Sequence, residues 1–216
     1  MSVRDLNDAP RLLAPIADYF SRALERHGAT PAGVLWRDDA GQRLRFTQLI
    51  GIFDDADRRG GVTINDLGCG YGALFDFLAD RPEMAGGSYV GYDICADMLA
   101  HARRRITDSR ASFVESLRAT QPADYALISG THNLKLDTRD AEWEDFVHKS
   151  LIDTWATSRK GLAFNMLGFD RTRRPQASLY YADPMRFYDF CQRHLSSDVT
   201  LVHDYPLAEW TMWVRA

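Results

Sequence analysis

The stretch from Val62 to Leu74 reads VTINDLGCGYGAL. A short β-branched run ends in Asp66, and three glycines, Gly68, Gly70 and Gly72, then alternate with other residues. The run predicts a strand. The amphipathic GALFDFLADR after it predicts a helix with Leu74, Phe77 and Leu78 on one face. Glycines directly after a strand mark a sharp turn or a backbone that something approaches closely. In an open α/β sheet, that turn is where a nucleotide-like ligand binds. A second acid, Asp93, ends the next predicted strand, SYVGYD. A carboxylate at that distance accepts from both ribose hydroxyls. Loop and acid in this order predict a nucleoside ligand. The run from Gly68 to Ala73 also satisfies the dinucleotide spacing G-x-G-x-x-G/A, so spacing alone leaves NAD open.

Outward from this stretch, strand and helix alternate. CADMLAHARRRI reads as a helix, and ASFVE and ADYALIS as strands. DAEWEDFVHKSLIDTWATS reads as a helix, with Asp140 at its N-cap and Trp143, Val147, Leu151 and Trp155 in a stripe. GLAFNML reads as a strand. Asp183-Pro184, a cap followed by proline, starts the helix MRFYDFCQRHL. DVTLVHD and EWTMWVRA follow with a turn between them and no helix, which predicts an antiparallel hairpin at one edge of the sheet. Before residue 62 two helices are expected. The first carries Leu12, Leu13, Ile16, Tyr19, Phe20 and Leu24 at helical spacing. The second, QRLRFTQLIGIFDD, places Leu44, Leu49, Ile50 and Phe53 inward. The fold class is therefore α/β. It is a Rossmann-like, seven-stranded, mostly parallel sheet with a C-terminal hairpin, helices on both faces and an N-terminal helical cap. One domain spans 1–216, with the cap at 1–60 and the core at 61–216.

The 216 residues carry 26 Lys and Arg against 30 Asp and Glu, for a formal net charge of −4. That balance gives no general attraction to nucleic acid or to anionic membranes. Three scattered cysteines form no C-x-x-C pair, and the six histidines form no H-E-x-x-H set. No metal site is therefore expected. The N-terminus lacks the apolar core of a signal peptide, and no stretch approaches a membrane span. The expectation is a cytoplasmic enzyme, monomeric or homodimeric.

The run NDLGCGYG, with Asp66 leading the glycines, resembles motif I of the class I S-adenosylmethionine (SAM)-dependent methyltransferases. GYDICADMLAHA resembles the ribose-binding segment that follows it, and FVESL the turn at the adenine edge. ADYALISGTHNL resembles the fourth strand and its active-site end, and the terminal hairpin the reversed last strand. The resemblance covers roughly residues 62 to 216. W...QRLRF, AFNML, LYYADP and HDYPLAEWTMWV further resemble a bacterial group of predicted small-molecule methyltransferases of undefined substrate. The resemblance implies SAM as cofactor and S-adenosylhomocysteine (SAH) as product. It implies that Gly68, Gly70 and Gly72 pack on the methionine part and that Asp66 helps hold its ammonium. Asp93 would take the ribose, and Ile94 and Met98 the adenine face. Ser116 and Leu117 would take the adenine edge, and Ser129 would lie near the sulfonium. Where a Gly-Asp pair is common at the adenine turn, this chain has Glu115-Ser116, which keeps a backbone contact and loses the carboxylate. The family also folds an N-terminal helical element over the cofactor. Arg45 is accordingly expected to pair with the SAM carboxylate and Trp36 to cover the site.

A sulfonium methyl is already a strong electrophile, so the protein must mainly align the reactants and exclude water. A base is needed only where the acceptor holds its proton at neutral pH. His132, just past the fourth strand, is the base candidate, and Asn133 is placed to orient donor or acceptor. Tyr180 and Tyr181 are candidates for an aromatic wall over the acceptor. Arg171, Arg173 and Arg174 would attract an anionic metabolite. The expected reaction is O- or N-methylation of a small molecule. A SAM-binding protein without robust catalysis and an NAD-dependent oxidoreductase stand as the alternatives.

Overall fold

The computed structural model describes residues 9–169 and 174–216. Arg171 and Arg173 lie outside the described residues. The chain forms a seven-stranded sheet in the order β3-β2-β1-β4-β5-β7-β6. The strands are β1 (Thr63–Leu67), β2 (Ser88–Asp93), β3 (Ala111–Glu115), β4 (Ala123–Ser129), β5 (Ser158–Leu167), β6 (Asp198–Val202) and β7 (Glu209–Arg215). The first five pair in parallel. β7 runs antiparallel to both β5 and β6, so it alone is reversed. The expected hairpin is present, but its second strand is inserted between β5 and β6, and β6 forms the edge.

Helices α2 (Asp39–Ile50), α3 (Ala73–Leu78) and α4 (Ala96–Arg105) cover one face, and α5 (Asp140–Trp155) and α6 (Pro184–His194) the other. Burial on both faces explains the near-continuous apolar runs of β4 and β5. On α5, Trp143, Val147 and Leu151 are fully buried, each adding about 1.5–3 kcal/mol relative to exposure. Asp183 caps α6 as expected, its carboxylate accepting from the Met185 N–H at 2.9 Å. Asp140 is instead the first residue of α5, where its charge complements the helix N-terminus without capping it.

Helix α1 (Ala9–His27) and α2 divide the work assigned to the N-terminal cap. Leu13 and Ile16 of α1 cluster with Trp143 and Leu134, whereas Leu24 clusters with Tyr71, Cys95 and Met98. This helix therefore lies across the carboxyl edge of the sheet and roofs it. Helix α2 packs flat on the sheet through Phe46 and Leu49. Asp38 starts the helix, accepting from the Gly41 N–H at 2.7 Å, and of the residues expected inward Leu49 is buried while Ile50 and Phe53 are half-buried against the same cluster. Gln42, Arg45, Phe46 and Leu49 turn inward, and Leu44 turns towards the cavity described below. In α3, Phe75 takes the core position, and Phe77 is half-buried between the guanidiniums of Arg43 and Arg81. No helix of the described residues is long and apolar enough to cross a membrane.

Candidate active site

The carboxyl ends of β1, β2 and β4 open into a cavity of about 610 Å³. Concave sites of this size at that edge are where open α/β sheets bind ligands.

One wall comes from the opening stretch. The Asp93 carboxylate accepts from the Gly70 N–H at 2.8 Å and from the Cys95 N–H at 2.9 Å. It thus ties the glycine turn to the end of β2 and keeps one lone pair on each oxygen for a further donor. Burial pushes this carboxyl above the ordinary range, and backbone N–H bonds from Cys95, Gly70 and Ile94 oppose that push. Asp66 is buried, and its carboxylate accepts from the Tyr89 hydroxyl. Burial raises Asp66 to about 7. The Tyr89 bond works against this, and the charge of Asp93 works with it. Ile94, Met98, Ser116 and Leu117 complete this wall. The Ser116 N–H donates to the Asp93 carbonyl at 3.0 Å, which fixes the turn after β3 beside the acid.

The glycines answer partly to the protein itself. Gly68 has φ 72, and a Cβ there would stand 2.2 Å from Thr131 Oγ1. That hydroxyl donates to the Leu67 carbonyl at 2.8 Å and locks the β1 turn to the β4 turn. Gly72 backs onto Ile106 and Phe113 and does not line the cavity, unlike Gly68 and Gly70.

A second wall joins α2 to the hairpin. Arg45 donates through Nε to Glu209 at 3.0 and 2.8 Å, with a further bond from Nη2. Both residues are buried. Burial raises the Glu209 carboxyl, and the guanidinium opposes the rise. The partner of Arg45 is therefore a buried acid 164 residues away, and none of these bonds uses its Nη1. Trp36 lies with its ring 3.9 Å from the Arg45 guanidinium carbon. The benzo ring of the indole rests on Gly130 (φ 67), where a Cβ would meet it at 2.2 Å. The guanidinium, the indole and Gly130 together close this end of the cavity.

The third wall is His132 with the surfaces of α5 and α1. His132 is 3% exposed, and its Nε2 lies 3.1 Å from Ser150 Oγ. Nδ1 has no protein partner. An unpaired lone pair costs less than an unpaired N–H, so Nε2 carries the hydrogen and Nδ1 accepts. Burial pushes His132 down to about 4, so it is neutral at pH 7. Asn133 Oδ1 accepts from the Leu167 N–H at 2.9 Å, which leaves its Nδ2 buried and unpartnered. Ser129 Oγ is likewise buried and unpartnered. Leu134, Trp143, Phe146, Leu167 and Leu179 supply the rest.

Of the residues expected to receive an acceptor, Tyr180, Tyr181 and Arg174 are not brought here. Tyr180 is buried in the core, and its hydroxyl donates to Glu144. The Tyr181 hydroxyl accepts from the Gln176 N–H at 3.1 Å. Arg174 is exposed and does not line the cavity. Their neighbour Leu179 does line it, held by a bridge to Leu134. Glu209, Ser150 and Thr131 escaped the sequence reading. An acid heading the apolar strand EWTMWV was the available signal for Glu209. The other two carried none.

Comparisons with known proteins agree with this geometry. A methyltransferase-domain family model matches residues 64–149. A Mycobacterium tuberculosis protein named "Putative methyltransferase Rv1506c" is 39% identical over 155 residues, spanning 71% of this chain and 92% of its own length. Among solved structures, a SAM-dependent methyltransferase from Leishmania major superposes with a TM-score of 0.65 at 18% identity, covering 100% of this chain and 87% of its own. The magnesium protoporphyrin IX methyltransferase of Synechocystis PCC 6803, solved with bound SAH, superposes with a TM-score of 0.61 at 11% identity, covering 82% and 84%. At such low identity the two structural likenesses speak for the fold, and the closer sequence relative carries the family. The chain belongs to the class I SAM-dependent methyltransferases.

Proposed function

We propose that the chain transfers the SAM methyl group to an oxygen or nitrogen of a small-molecule acceptor, with donor and acceptor side by side in the 610 Å³ cavity. The observation that supports this reading is that carboxylates suited to the donor and a neutral histidine suited to the acceptor line one cavity. Asp93 would take the ribose hydroxyls on its free lone pairs. Ile94 and Met98 would hold the adenine face, with Ser116 and Leu117 at its edge. Gly68 and Gly70 would lie along the methionine, with Asp66 facing its ammonium. Arg45, oriented by Glu209, would offer its unused Nη1 to the methionine carboxylate, and Trp36 would cover that end. Ser129 and Asn133, each with an unpartnered polar atom, would lie beside the reacting centre.

SAM supplies the electrophilic methyl, and the chain supplies alignment, dryness and a proton acceptor. His132 Nδ1 takes the proton of the acceptor O–H or N–H as the new bond to carbon forms. The carbon–sulfur electron pair stays on sulfur as the thioether of SAH. Charge is conserved within the cavity, because an imidazolium appears as the sulfonium disappears. That exchange offsets the burial that keeps the ring neutral at rest.

Calorimetric titration tests the reading. SAM and SAH should bind with measurable heat, and NAD should not. Binding of NAD with silence from SAM overturns it.

A further inference from the structure

We infer that the acceptor is an uncharged, largely apolar ring compound, whose body lies against Leu13, Ile16, Leu134, Phe146 and Leu179 and whose hydroxyl or N–H points at His132. This deepens the methyl-transfer reading above and rests on it.

The donor accounts for only part of the cavity. Asp66, Asp93, Ile94, Met98, Ser116 and Leu117 stand at the β1–β3 end. At the β4–β5 end, beneath α1 and α5, the wall changes character. Leu13, Ile16, Leu134 and Trp143 belong to one apolar cluster, and Phe146 and Leu179 pack against it from the side. Phe146 lies 5.1 Å from Trp143 and 6.2 Å from His132 between ring centroids, so an aromatic corner surrounds the imidazole. Flat hydrocarbon in such a corner favours offset or edge-on ring contacts.

The charges point the same way. Among the described lining residues, the cations are Arg37 and Arg45, and the carboxylates are Asp38, Asp66, Asp93 and Glu209. Arg45 is committed to Glu209, and Arg37 is exposed beside Asp38 at 3.8 Å. Among the described residues, an acceptor carboxylate or phosphate in the α1–α5 chamber would find no free cation and would be buried without a described counter-ion. Burying an unpaired anion is far costlier than burying a neutral ring. Arg171 and Arg173, from which an anionic metabolite was expected to draw its counter-charge, lie outside the described residues, and Arg174 does not line the cavity. The chamber's polar groups gather at the end of β4, in the His132–Ser150 pair with Ser129 and Asn133 beside it. With Nε2 taken by Ser150, Nδ1 accepts a single hydrogen, which suits one hydroxyl or N–H on an otherwise apolar body.

The test uses the intact protein saturated with SAH, which fills the donor end, and two matched probes, para-hydroxyacetophenone and para-hydroxybenzoate. Both carry a phenol on the same ring, and only the second carries a carboxylate. Calorimetry should show the ketone binding about tenfold tighter or more than the acid. Phe146→Ala should weaken the ketone about five- to tenfold and leave SAH affinity unchanged, which also reports that the variant is folded. With SAM in place of SAH, the ketone should be converted to its methyl ether. Equal or tighter binding of the carboxylate, or binding of neither probe to the SAH-loaded protein, overturns the proposal. Failure of SAH itself to bind is a different result: it removes the donor reading first and this inference with it.

Discussion

The wall of the cavity at the ends of β1 and β2 is made of carboxylates and backbone amides. The wall under α1 and α5 is made of hydrocarbon around one imidazole. The first is local in the chain: Asp66, Gly68, Gly70, Asp93, Ile94 and Met98 lie within about one strand–helix–strand–helix unit, and one bond from Gly70 to Asp93 ties it together. The second is gathered from distant places. Leu13, His132, Phe146 and Leu179 come from two helices and two loops that have nothing in common until the sheet has formed. Arg45 and Glu209 stitch the remaining side across 164 positions. Polar, local construction suits a ligand whose every hydrogen bond must be matched. Apolar, long-range construction suits one recognised by shape.

The stitch should give the largest effect. Glu209→Ala leaves Arg45 buried and unpaired, which should cost about 3–5 kcal/mol of stability. Denaturant unfolding reads it, and a loss below about 1 kcal/mol would mean that the pair is dispensable. A double variant, Arg45→Met with Glu209→Leu, should recover most of the loss, because it removes both charges together.

Substitution in the local wall should act on the donor alone. Asp93→Ala removes two hydrogen bonds from the turn and two proposed ones to ribose, so SAM affinity should fall about a hundredfold by calorimetry. Retained affinity would place the ribose elsewhere. In the distant wall, His132→Gln keeps a polar side chain and removes the proposed base. kcat should fall about a hundredfold, the lower end for such a group, with SAM affinity unchanged. A loss of SAM affinity equal to the loss of kcat would erase the division between the two walls.

The smallest effect is a pH dependence. Asp66 titrates near 7 in the folded chain against an ordinary 3.8, so folding favours its protonated form. Its contribution to stability is complete below the ordinary value and is lost as pH rises through about 7. A donor ammonium beside it prefers the ionised form. SAM binding should therefore release a proton and tighten about tenfold between about pH 6 and about pH 8. Calorimetry in buffers of different ionisation enthalpy measures the proton. A flat affinity with no proton released would separate Asp66 from the ammonium. His132 shifts the other way: lowered to about 4, it contributes stability above its ordinary 6.5 that is lost as pH falls through 4.

How much of this was legible in the sequence follows the same division. The glycine turn, Asp93 and the alternation of strands and helices are short-range patterns, and a chain records those directly. The sheet's strand count and its reversed strand were readable too, because a missing crossover helix shows in the spacing. His132 and Asn133 were placed correctly at the end of β4, since a residue just past a strand must lie at that edge. Tyr180 was read as a wall and lies in the core, because nothing in LYYADP reveals that Glu144 stands opposite its hydroxyl. At the second helix Leu49, Ile50 and Phe53 were legible as inward, but Gln42 and Arg45 were not, because a hydrophobic pattern excludes the positions they occupy. Glycine carries a similar ambiguity: the sequence says that something approaches Gly68, and only the fold says that Thr131 does.

The insertion of β7 between β5 and β6 has a consequence for synthesis. A chain made from its N-terminus completes β1 to β5 in an order that lets each new strand join a neighbour already present. β6 is made with no place to dock, because its only neighbour in the sheet is β7. Until β7 is made, the edge of β5 stays open and the guanidinium of Arg45 waits for its acid. The second wall of the cavity is therefore among the last parts of the chain to form, and a nascent chain stalled before residue 209 should hold the wall at the ends of β1 and β2 without the rest.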